Sequence, residues 1–161
     1  MKCLAVFYSL SGKTKALAEH AAQLLSAELA EIHCNKYGRG FFSFFRAAID
    51  SSKGKLPPIE VSGPSPDRYD FVLLLAPVWA GHAATPLRAY LNQCRGQLKR
   101  AAFVLTCGGS CPPSAFDELA AIAGVKPQAQ LILRDKDRKG GSYVSPELDK
   151  FLSPLKAQQA A

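Results

Sequence analysis

Five short apolar runs, each followed by a stretch of helical periodicity, leave this chain few ways to fold. Residues 3–8, 30–34, 70–76, 101–106 and 129–134 are too short for buried helices and read as strands. The third run, Phe71 to Ala76, is apolar throughout, as a parallel strand covered on both faces must be. Between the runs lie amphipathic patterns. Leu17, Ala21, Leu24 and Leu25 share one helical stripe, and so do Leu87, Tyr90, Leu91 and Cys94. Thr85-Pro86 and Ser145-Pro146 are start signals, and Gly124 is a stop for a helix over 114–123. In the aromatic-rich segment 41–49, Phe41, Phe44, Phe45 and Ala48 fall on one face, expected to be buried, while Phe42 falls off it. The alternation predicts an α/β fold: three αβα layers around a doubly wound, five-stranded parallel sheet in the order 2-1-3-4-5.

Length and composition narrow the class. At 161 residues the chain suits one domain over 1–156, with 157–161 reading as a frayed tail. The stretch 53–67, rich in Pro, Gly and Ser, reads as a loop. No segment approaches the ~20 apolar residues of a membrane span. The apolar start is interrupted by residues 9–15, so it reads as a core strand rather than a secretory leader. Four of the five cysteines sit at apolar strand or helix positions, which fits reduced thiols and a cytoplasmic location. The net charge of +7 is scattered over 36–46, 53–55, 95–100 and 134–139, without a nucleic-acid-binding module, so no nucleic-acid partner is expected. Three dispersed histidines give no metal-ligand spacing, and no metal is expected.

The chemistry concentrates in three loops. The first strand runs into Ser9-Leu10-Ser11-Gly12-Lys13-Thr14, which opens a helix. Such a junction gathers unpaired N–H groups at the positive end of a helix dipole, here among three hydroxyls and a lysine. A nucleotide P-loop would need a glycine five residues before Gly12, where the chain has Phe7. The short loop suits a single terminal phosphate monoester, the plainer alternative being an ordinary serine-capped turn. Pro77, Val78, Trp79, Ala80, Gly81 and His82 follow the third strand. The sole Trp is expected on a loop there, covering either a flat ligand or the protein's own core. Thr106, Cys107, Gly108, Gly109, Ser110 and Cys111 follow the fourth strand, and paired glycines let backbone amides approach a ligand closely.

Across residues 2–124 these loops resemble, in order, those of the flavodoxin family. The first is similar to the family's phosphate loop, Thr/Ser-x-Thr-Gly-x-Thr, with Ser11 keeping the middle hydroxyl. The second resembles its Pro-x-Tyr/Trp-x-Gly ahead of a Pro-x-Arg-x-aromatic-Leu helix, here Pro86 to Leu91. The third looks like its Thr-x-Gly-Gly-Ser form. The resemblance implies non-covalent FMN. Ser9, Leu10, Ser11, Gly12, Lys13 and Thr14 would hold its phosphate. Trp79 would cover its ring beside Pro77, Val78, Ala80 and Gly81, and Thr106, Cys107, Gly108 and Gly109 would meet its polar edge. The family's frequent second stacking Tyr is missing between Thr106 and Phe116.

No catalytic side chain is implied, since the redox chemistry belongs to the cofactor. The resemblance implies an electron carrier first. The alternatives are an NAD(P)H oxidoreductase acting on a quinone or nitro compound, and a flavin-free binding module. A basic chain would seek an acidic redox partner or the phosphates of NAD(P)H. Two side groups keep two readings each. His82 is either a proton donor at the ring edge or a solvent-facing histidine. Cys107 and Cys111, not spaced as Cys-x-x-Cys, are either a disulfide beside the flavin or incidental thiols.

Overall fold

The computed structural model describes residues 1–38, 40–135 and 146–160. Ser145, expected to cap the last helix, and Lys139, at the end of a basic cluster, lie outside the described residues.

Strand β1 (Cys3–Phe7) feeds helix α1 (Lys13–Leu25), and β2 (Glu28–His33) feeds α2 (Phe41–Ser52). A short strand β3 (Glu60–Ser62) precedes β4 (Phe71–Trp79), which turns back on the two-residue β5 (His82–Ala83) before α3 (Thr85–Gln93). Then come β6 (Ala101–Cys107), α4 (Ser114–Ala123), β7 (Ala129–Arg134) and α5 (Pro146–Ala160). The parallel strands run β2-β1-β4-β6-β7, the expected order. Two antiparallel pieces join them: β3 on the outer edge of β2, and β5 on the tip of β4.

Strand alternation divides the core in two. Leu4, Val6, Val72, Leu74, Ala101, Phe103 and Leu105 join one cluster with residues of α3 and α4. Their neighbours Cys3, Ala5, Phe7, Phe71, Leu73, Leu75, Ala102 and Val104 join the other, with α1 and α5. Phe7, Phe71 and Phe103 are among the largest side chains fully removed from water. Each such residue contributes about 1.5–3 kcal/mol of burial free energy.

Four local readings need correction. The Pro-, Gly- and Ser-rich stretch 53–67 contains β3, whose three residues pair with Glu31, Ile32 and His33. Strand β4 continues past Ala76 to Trp79, because β5 folds back against its end. Helix α5 runs on to Ala160, through most of the segment expected to fray. Helix α2 does not bury Phe45, which is 53% exposed; Ile49 is 50% exposed, and Phe42, as expected, projects at 87%. The side chains of Phe41 and Phe44 lie outside the described residues. Among its described side chains, α2 buries Ala47, Asp50 and Ser51. Its docking is polar. The Asp50 carboxylate accepts from Lys36 Nζ at 2.7 Å and Tyr37 Oη at 3.1 Å. Ser51 Oγ donates to the Trp79 carbonyl at 3.0 Å, and Arg88 Nη1 donates to the Ser51 carbonyl at 3.0 Å. Among the described residues no helix is long and apolar enough to cross a membrane.

Candidate functional site

A cleft of about 580 Å³ opens at the carboxyl ends of β1, β4, β6 and β7. This is the edge at which open α/β sheets bind ligands, and the volume falls within the usual range for small-molecule sites. Three loops and one further residue form its walls.

The first wall comes from Leu10, Ser11, Lys13 and Thr14. Gly12 turns the chain into α1 with φ +90°, a left-handed conformation that glycine adopts without steric cost. Its N–H donates to Ser9 Oγ at 3.1 Å, which closes the loop on itself. The first-turn amides of α1 have no partner within the helix, as at every helix start, and the first turn contains no acidic residue. Thr14 is 2% exposed and its hydroxyl bonds that of Thr106 at 3.1 Å, tying the first wall to the third. Ser9 and Gly12 do not line the large cleft. Ser9 lines a smaller one of about 210 Å³ beside it, together with Tyr8, Glu31 and Cys34.

The second wall is the hairpin at the end of β4, where Pro77, Val78, Trp79, Ala80 and Gly81 all line the cleft. Ala80 and Gly81 have φ of +49° and +82°. Two consecutive positive values make the tight two-residue connection whose twist suits a hairpin. Trp79 is thus the last residue of a strand, not a loop residue, and only 4% of its surface is exposed. Tyr8 and Tyr37 clasp its indole edge-on, with ring centroids at 5.5 and 5.3 Å. Burial pushes both phenols above the ordinary tyrosine value. An indole held this way supports the wall from behind rather than standing free in the cleft.

Thr106, Cys107, Gly108, Gly109 and Ser110 form the third wall. Cys107 Sγ donates to the Gly109 carbonyl at 3.4 Å, bracing the glycine pair. Cys111, buried nearby and in contact with Cys107, has its thiol pushed up to about 11, chiefly by desolvation. His82 is not on the cleft wall. Its Nδ1 lies 3.0 Å from Glu118 Oε2, and Glu118 also pairs with Arg88. Among the described residues no group of His, Cys, Asp or Glu could hold a metal ion.

One wall residue lies outside the three loops read from the sequence, Asp135; Ser110 belongs to the third loop but is given no ligand contact there. The last strand ends at Arg134, and the residue after a parallel strand falls at the binding edge. That rule alone would have flagged Asp135.

No family model matches the sequence, and no curated protein matches it. Solved structures do. The crystal structure of a flavoprotein in complex with FMN, from Lactobacillus acidophilus, is 26% identical, with a TM-score of 0.74 over 93% of this chain and 97% of that one. The chain has a flavodoxin-like fold. Oxidised flavodoxin 1 from Bacillus cereus superimposes on this flavodoxin-like chain with a TM-score of 0.55 at 17% identity, over 99% and 97% of the two chains. The apo form of an NADH:FMN oxidoreductase gives 0.54 at 16%, over 98% and 90%. At those identities the last two likenesses speak for the fold.

Proposed function

We propose that this protein binds FMN non-covalently in the 580 Å³ cleft and transfers electrons through it. The carrying observation is the convergence on one cleft of an acid-free helix start, a tight hairpin and a paired-glycine loop. The likeness to an FMN-bound flavoprotein over nearly the whole chain supports it. The residues present fit the cofactor. Amides at the start of α1, Ser11 and Lys13 provide donors and positive charge for a phosphate monoester. A Cβ added at Gly109 would meet nothing within 4 Å, so the third wall leaves room for a flat ring to approach the backbone. Bound FMN would supply one- and two-electron chemistry.

The chain's own residues bind, orient and shield. Ser9 holds the phosphate loop closed, and its hydroxyl proton stays free to donate because the oxygen accepts from Gly12. The Thr14–Thr106 pair fixes the spacing between phosphate end and ring end. Trp79 stiffens the ring wall through Tyr8 and Tyr37. Within this reading an electron carrier is favoured, serving an acidic redox partner that complements the +7 charge. The second reading is an NAD(P)H-dependent oxidoreductase, favoured by the same charge and by the fold shared with an NADH:FMN oxidoreductase.

Protein mixed with FMN is expected to turn yellow and quench the flavin's fluorescence, and to bind riboflavin more weakly. Equal affinity for the two would remove the phosphate role of residues 9–14. Steady NADPH oxidation with a quinone acceptor would replace the carrier by the oxidoreductase.

A further inference from the structure

One ion pair crosses the cleft between parts of the chain far apart in sequence. Lys13 Nζ, on the first turn of α1, lies 3.0 Å from Asp135 Oδ2, beyond the end of β7. Both residues line the cleft, and their side chains are 41% and 39% exposed. The carboxylate leans over the paired-glycine loop: a Cβ built on Gly108 would lie 3.4 Å from Asp135 Oδ2. A helix start without acids in its own first turn thus receives a negative charge from the opposite wall.

We infer that Asp135 is a built-in competitor for the phosphate of the flavin, setting how strongly the cleft prefers the phosphorylated ligand to its neutral form. This rests on the FMN reading above. The lysine that would meet a phosphate already meets a carboxylate. An incoming phosphate must either displace Asp135 from Lys13 or share the ammonium with it, and two anions on one cation repel. Riboflavin brings no charge and meets no such competition. The cost therefore falls on the phosphate alone. Because both partners are partly exposed, water and salt screen it, and it takes the size of an ordinary partly exposed ion pair. Asp135 is a specificity residue for the ligand and has no part in electron transfer.

The test is a set of titrations of FMN and of riboflavin, followed by flavin fluorescence at low and high salt. The proteins are wild type, Asp135→Asn, Lys13→Met and the double variant, with Asp135→Ser as a second replacement. Asp135→Asn is expected to tighten FMN about three- to fivefold at low salt. It should leave riboflavin unchanged, lose its effect at high salt and have no effect in the Lys13→Met background. An unchanged ratio of FMN to riboflavin affinity in both Asp135 variants overturns the inference. So does an equal gain with Lys13 removed. Wild type that binds neither flavin defeats the FMN reading instead. Inorganic phosphate then serves as the probe: it must bind Asp135→Asn more tightly than wild type, and equal affinity overturns the inference on its own.

Discussion

The two ends of the cleft are built on opposite plans. The end formed by residues 9–14 is backbone: a left-handed glycine, a serine that closes the loop, and the open amides of a helix start. The end formed by residues 77–81 is side chain: a hairpin whose last indole is wedged between two tyrosines and whose main-chain carbonyl is held by Ser51. A backbone site is cheap to fold and easy to read, because few residue types produce it. A side-chain site depends on everything packed behind it. Damage to the first end should appear in ligand binding, and damage to the second in folding.

The largest effect that could break this contrast is at Trp79. Replacement by Ala removes a buried indole from between Tyr8 and Tyr37 and is expected to cost about 3–5 kcal/mol of stability in urea unfolding, as large-to-small core changes do. Loss of flavin binding with stability intact would show that the indole serves the ligand directly and that the hairpin stands without it.

Acid should also separate the two ends. Lys36 beside Asp50 holds its carboxyl below the ordinary aspartate value, with Tyr37 adding to the effect. A carboxyl with a lowered folded-state pKa contributes stability that is complete above the unfolded-state value and is lost as pH falls through the folded-state one. Stability is thus expected to decline below roughly pH 4. Asp50→Asn should be less stable at neutral pH and show a shallower decline. The hairpin, tied to α2 through Ser51, should loosen first, seen as a change in Trp79 fluorescence ahead of the change in circular dichroism. Simultaneous loss of both signals would show that the two ends unfold as one unit.

The smallest effect is at Ala80, which holds φ +49° in the turn. Ala80→Gly relieves a left-handed alanine but adds freedom to the unfolded chain, and these effects oppose each other. The net change is expected to stay within about 1 kcal/mol. A melting experiment that finds more would mean that the alanine methyl itself supports the wall.

The difference in plan also explains what was legible beforehand. The parallel order and the first loop could be read because apolar runs and glycine positions are local signals. Strand β3 could not: Glu60-Val61-Ser62 has no apolar pattern and exists only because β2 offers an edge. The exposure of Phe45 is not legible either, because a helix that buries Asp50 and Ser51 departs from the rule that apolar residues point inward. Its polar anchors come from Lys36, Tyr37 and Arg88, and no periodicity announces them. Pro77 reads as the end of a strand, which puts Trp79 on a loop. The return of β5 keeps the strand going. Asp135 acquires its meaning from Lys13, 122 positions away.

The hydroxyls of Thr14 and Thr106 have a consequence that heavy-atom positions alone hide. Between two hydroxyl groups 3.1 Å apart, either can be the donor, and whichever donates leaves the other's hydrogen unspent. The pair is a reversible pointer with two settings of equal charge. Turning it over moves the spare hydrogen between the helix side and the glycine side, with no atom heavier than hydrogen moving. The site can change what it offers without changing its shape.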